Sequence, residues 1–175
     1  MNDSFFIYLE QLELMAFFAG YPVLYALVMA FFGKNKTSAG FPGKWVSLLP
    51  VAYALVGSLF LGLQIKNLYP DYSWQHIQNS TQQPLLKIWA LLSLCFWWPL
   101  LQKRTWFSLL HSLVFFALLL NDIILKKNAS SGYTEMVKND MRIYTDSLLL
   151  NGGCYLAVML IAFLWWRTKG RKAGS

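Results

Sequence analysis

Five apolar runs, at residues 14–32, 45–63, 85–101, 106–125 and 148–166, leave this chain few ways to fold. A hydrocarbon core about 30 Å thick is crossed by about 20 apolar residues in helical form. Inside it the backbone must satisfy its own hydrogen bonds, which admits helices and closed barrels alone. Runs of this length and continuity are helices. Composition agrees, since 57% of residues are hydrophobic and 13% charged, against about 25% charged in an ordinary soluble domain. A soluble fold of 175 residues could not bury that much apolar surface. The expected fold class is an all-α integral membrane protein, a bundle of five transmembrane helices. It forms one polytopic domain over residues 1–172, with Ala173, Gly174 and Ser175 read as a tail.

The third run is the shortest; it contains Lys87 and ends in Trp97-Trp98-Pro99. The polar link Gln102-Lys103-Arg104-Thr105 joins it to the fourth run. One long helix through both would place Lys103 and Arg104 in hydrocarbon at high cost. Two antiparallel spans are expected instead. The first run is long enough to span, and residues 1–13 lack a basic leader region, so it is expected to be a retained helix.

Charge then orients the bundle. On one side lie Lys34, Lys36, Lys44, Lys103, Arg104, Arg167, Lys169, Arg171 and Lys172; on the other lie Lys66, Lys126, Lys127, Lys138 and Arg142. Short loops richer in Lys and Arg stay cytoplasmic. The N-terminus is therefore expected outside, the C-terminus in the cytoplasm, and the location in a plasma (inner) membrane. All eight acids, Asp3, Glu10, Glu13, Asp71, Asp122, Glu135, Asp140 and Asp146, fall toward the outer side. The net charge of +7 thus concentrates on a face that meets the anionic cytoplasmic leaflet of the bilayer rather than nucleic acid.

Helices in lipid associate where small side chains let backbones approach. Ala54, Ser58 and Gly62 recur every four residues in the second run, and Gly153 and Ala157 share that spacing in the fifth. Both stripes are expected helix contacts, within the bundle or between copies. Val137, Met141, Tyr144 and Leu148 share a face, so the fifth helix is expected to begin near Thr134, above the membrane. Tyr69, Tyr72 and Trp74 suggest a segment lying along the outer interface.

Ionisable groups within a span are costly and invite a functional reading. Glu10 and Glu13 share one face of the helix leading into the first span, and Lys87, Asp122 and Asn151 lie at similar outer depth. Together these five are candidates for a ligand or ion pocket open to the outside. His111 is a candidate proton-titrating residue, on a face of the fourth span shared with Ser108, Ser112, Phe115, Leu119 and Asp122. The two cysteines, Cys95 and Cys154, form no metal motif, and His76 and His111 fall on opposite sides. No metal, cofactor or catalytic residue is expected.

The leading expectation is a non-enzymatic subunit or accessory of a membrane complex, or a homo-oligomeric pore, with a second copy or another membrane protein as partner. The alternative is a transporter or binding protein for a small polar or lipidic ligand. An intramembrane enzyme ranks third. The orientation is checked with reporters: one fused after Lys172 should read cytoplasmic, and one inserted at Ser131 should read external. Both on the same side would break the five-span reading.

Overall fold

Apolar length and proline placement set the elements. The computed structural model describes residues 3–32, 41–70, 83–128 and 133–172, with side chains over 7–32, 44–70, 83–124 and 141–168. The interfacial segment expected around Tyr72 and Trp74 lies outside the described residues. In chain order the helices are α1 (Asp3–Phe18), α2 (Tyr21–Phe32), α3 (Phe41–Val46), α4 (Leu49–Asn67) and α5 (Pro84–Leu91). A 3-10 stretch (Leu92–Trp97) follows, then α6 (Pro99–Gln102), α7 (Thr105–Asn128) and α8 (Tyr133–Lys172). Among the described residues every element is helical.

Four stretches are long and apolar enough to cross a membrane: Ile7–Phe32, Lys44–Asn67, Thr105–Ile124 and Met141–Thr168. They define an all-helical membrane protein. The third run differs from expectation. Its apolar helix is the shorter stretch Pro84–Trp97, which tightens into 3-10 geometry after Leu91. Trp98 then turns extended, with φ −74° and ψ 129°, because the ring of Pro99 excludes the helical conformation from the residue before it. This stretch runs antiparallel to α4. Lys87 lies by the first turns of α1, and Trp97 Nε1 donates to Ser58 Oγ at 3.0 Å. α8, by contrast, is one helix of 40 residues beginning at Tyr133. At 1.5 Å per residue it is about 60 Å long, twice the hydrocarbon thickness. Its start agrees with the one its periodicity implies.

The first span is broken between α1 and α2. Pro22 has no N–H to give the Phe18 carbonyl, and the chain turns through Ala19 and Gly20. An open backbone in hydrocarbon is tolerated only where protein satisfies it, and α8 does so. Asn151 Nδ2 donates to Phe17 O at 2.8 Å and to Ser147 O at 2.8 Å. The Gly20 N–H donates to Ser147 Oγ at 2.8 Å. Gly20 permits this approach, for a Cβ there would lie 2.5 Å from the Leu148 nitrogen and 2.7 Å from its Cα.

Aromatic rings fill the core around the break. Phe18, Tyr21, Tyr53, Phe60 and Phe115 are fully buried. Phe18 stacks on Phe115 at 4.8 Å and meets Tyr53 and Phe60 edge-on. A smaller cluster of Met15, Ala19 and Leu119 closes against Ile143 and Tyr144 of α8.

The small residues divide between inside and outside. Ala54 is buried, Ser58 and Ala157 are half-buried, and Gly62 and Gly153 face outward, where a Cβ would meet nothing within 4 Å. The close approach on α4 is instead at Gly57, where a Cβ would overlap the Ser93 side chain. The contact face of α4 thus takes in Ala54, Gly57 and Ser58 and leaves Gly62 outside it.

Two substitutions test the break. Gly20→Leu forces a branched side chain into the α8 backbone and should cost about 3 kcal/mol or more. Asn151→Leu leaves the Phe17 carbonyl at the break short of its donor, a loss of about 1–3 kcal/mol. Both should melt earlier in detergent. An Asn151→Leu protein that melts at the wild-type temperature would mean that the break holds without α8.

Candidate functional site

At the end of the bundle where α1 begins, three helices meet through two carboxylates. Glu10 and Glu13 are three residues apart and so face the same way from α1. Pro84 opens α5, a position where the missing N–H is no loss. The preceding residue, Gln83, gives its backbone N–H to Glu10 Oε2 at 2.8 Å. One turn further on, Lys87 Nζ reaches Glu10 Oε1 at 2.7 Å. The pair is largely buried, with side chains 18% and 9% exposed for Lys87 and Glu10. Glu10 thus receives a cation and an amide on its two oxygens, the kind of charge-assisted contact that makes a buried carboxylate tolerable.

Glu13 is held by amides rather than by a cation. Gln64 Nε2 donates to its Oε2 at 3.2 Å, and Asn67 Nδ2 donates to its Oε1 at 3.1 Å. Both amides come from the last turn of α4. The two carboxylates therefore tie α1 to α5 and to α4. Beside this tie, Gln83 Oε1 is buried without a hydrogen-bond partner.

The five candidate pocket residues are only partly brought together. The structure joins Glu10 to Lys87 and sets Glu13 next to them. Asn151 lies at the α1–α2 break, 1% exposed, with its amide nitrogen engaged and its Oδ1 buried and unpartnered. Its contact, Phe17, is seven residues beyond Glu10, about 10 Å along the helix. Asp122 is half-buried on α7, next to Ile123, which packs against the Met15, Ala19 and Leu119 cluster. Sequence spacing missed Asn67 and Gln83. The available signal was an amide at the exit of one span and another just before the proline that opens the next.

His111 lies buried in a clamp between α4, α5 and α7. Its ring is parallel to that of Trp89, with centroids 4.8 Å apart and planes 8° from coplanar. Nε2 is 2.7 Å from the Trp89 carbonyl oxygen, and Nδ1 is 2.7 Å from the Tyr53 hydroxyl. A carbonyl only accepts, so Nε2 carries the proton, and Nδ1 accepts from Tyr53. Trp89 Nε1 returns a bond to the His111 carbonyl at 3.2 Å. A turn earlier, Ser108 Oγ donates to Thr105 O at 2.6 Å and accepts from the Tyr21 hydroxyl at 2.8 Å. Phe115 and Leu119, both buried, separate His111 from Asp122 along α7.

These arrangements define a class: a helical membrane protein whose intramembrane polar groups bind helix to helix. No family model, no curated protein and no solved structure matches the chain.

The Glu10–Lys87 pair can be weighed directly. Lys87→Met leaves a buried carboxylate uncompensated and should cost roughly 3–5 kcal/mol. Adding Glu10→Gln should restore most of that stability, whereas adding Glu13→Gln should not, because the amides of α4 already serve Glu13. A Lys87→Met protein with wild-type melting, or equal rescue by both second changes, would show that the pair does not hold α1 to α5.

Proposed function

We propose that this protein is a non-enzymatic helical subunit of a membrane assembly. In this reading it crosses the bilayer five times, the Pro84–Trp97 stretch and the chain to Lys103 making the short third pass. The N-terminus is outside and the C-terminus cytoplasmic. One observation carries the proposal: among the described residues, Glu10, Glu13 and His111 are each engaged by groups of neighbouring helices. Glu10 serves Lys87 and the Gln83 amide, Glu13 serves Gln64 and Asn67, and both nitrogens of His111 are engaged. An acid, base or nucleophile has to reach a substrate, and groups used this way fasten helices instead.

Assembly with further helices draws on the outward glycines. Gly62 on α4 and Gly153 on α8 leave backbone bare at the bundle surface, which suits close approach by a neighbouring transmembrane helix. A second reading, a binding protein for a small polar or lipidic ligand at the outer end, is favoured by the unpartnered Gln83 Oε1 beside the Glu10–Lys87 pair.

The mass of the particle purified in nanodiscs tests the proposal. It should exceed that of one 20.2 kDa chain. Gly62→Leu or Gly153→Leu should reduce it toward a single chain while leaving the helical circular dichroism intact. A wild-type particle holding one chain and no partner would refute the assembly role and leave the ligand-binding reading in its place.

A further inference from the structure

The opposite end of the bundle, where α4 and α7 begin and α8 ends, has a different chemistry. Lys44 sits on α3, and Phe163, Trp166 and Arg167 lie on α8; the four line a cleft of about 400 Å³. The Lys44 ammonium lies over the Trp166 ring, 5.2 Å from its centroid. Trp166 meets Trp45 edge-on at 5.6 Å, and Tyr155 fastens this corner by donating to the Trp45 carbonyl at 3.1 Å. The cleft therefore has an aromatic wall held by two helices and two cations on its rim.

Among the described side chains, the carboxylates Glu10, Glu13, Asp122 and Asp146 lie toward the other end of the bundle. Asp146, the acid nearest to Arg167 along α8, is 21 residues earlier, about 32 Å at helical rise. The other acids of α8 and those of α1 lie further from this end. A cleft with two cations, an apolar wall and a position where a span leaves hydrocarbon fits one occupant well. We propose that it binds an anionic phospholipid, with the phosphodiester between Lys44 and Arg167 and the upper acyl chains along Phe163 and Trp166. An ammonium acts as a point charge, whereas the guanidinium fork matches two phosphate oxygens. A tryptophan at this depth suits the glycerol region, where one side is apolar and the other wet. A zwitterionic lipid is disfavoured because its own ammonium group competes for the phosphate. The site is independent of the Glu10–Lys87 tie and of the assembly role proposed above.

Native mass spectrometry of the full-length protein in detergent, titrated with phosphatidylglycerol or phosphatidylcholine, tests the site. The first phosphatidylglycerol should bind at concentrations where phosphatidylcholine does not. Lys44→Gln with Arg167→Gln should weaken that first binding about tenfold or more, from loss of two cations near the surface. Lys103→Gln with Arg104→Gln removes the same charge from the same end and should leave it within about twofold, because those residues lie outside the cleft. If the double cleft variant loses its helical circular dichroism, Arg167→Gln alone, which removes an exposed charge, should show the same direction of loss. Equal weakening by both pairs would mean diffuse attraction and no site. Equal binding of the two lipids, or displacement of phosphatidylglycerol by millimolar inorganic phosphate, would likewise overturn the proposal.

Discussion

The bundle depends on α8 bonding backbone groups left open where the first span breaks between α1 and α2. Water cannot do this in hydrocarbon, and an unsatisfied backbone group there costs several kcal/mol. Ser147 and Asn151 are one turn apart and reach both sides of the break, the Gly20 N–H and the Phe17 carbonyl. The absence of a side chain at Gly20 brings α8 close enough for both bonds. Much else follows from that contact. It fixes the rotation of α8 and holds Phe18 and Tyr21 at the bend, where Phe115 and Tyr53 pack on them. The aromatic core is built around a polar repair.

A second polar layer works at the end of the bundle, by a different balance. The α1–α2 repair uses neutral groups with little desolvation to offset. The Glu10–Lys87 pair involves full charges, whose removal from water is repaid only by good geometry and further hydrogen bonds. The Gln83 amide supplies one such bond. Position eases the rest, since the lysine remains 18% exposed and one end of the pair meets the interface. The same group deep in the core, at the level of Phe18, would lack that relief. There the fold uses His111, Tyr53 and Ser108, which carry hydrogen bonds without needing a counter-charge.

Much of the helical architecture was legible in the sequence because length and apolarity are properties of one segment. Four of the five runs became long membrane helices, and the periodicity of Val137, Met141, Tyr144 and Leu148 located the start of α8 to within a residue. The third run was legible as apolar, and Pro99 marked its end. Its 3-10 winding was not, and neither was the seat of Ser93 against Gly57 within it. Partner choice was the less legible part. Spacing shows which residues share a face on one helix and says nothing about the rotation of the helix opposite. Hence the tightest approach on α4 falls at Gly57, beside the stripe of Ala54 and Ser58, while Gly62 faces outward, and of the two carboxylates it is Glu10 that Lys87 meets. Asn151 likewise read as one more polar group at outer depth. Its role at the break emerges only once Pro22 and α8 are seen side by side.

The two ends of the molecule differ in how charge is balanced, and this difference has a physical consequence. At the end where α1 begins, acids and bases coexist in one chain, so carboxylates find cations and amides within the fold, as Glu10 and Glu13 do. At the other end the described helices contribute Lys44, Lys103, Arg104 and Arg167 with no acid near them in sequence. Charges there lean on aromatic faces: Lys44 on Trp166 and Arg104 on Phe107, 5.8 Å from the ring centroid. A ring quadrupole lowers the energy of a cation but does not neutralise it. The anionic phospholipid proposed for the cleft would add a phosphate to these contacts. Among the described residues, carboxylates meet a cation and amides at one end, and cations lean on aromatic rings at the other. The proposed orientation draws on that asymmetry, because hydrophobic length is the same from either side while charge is not.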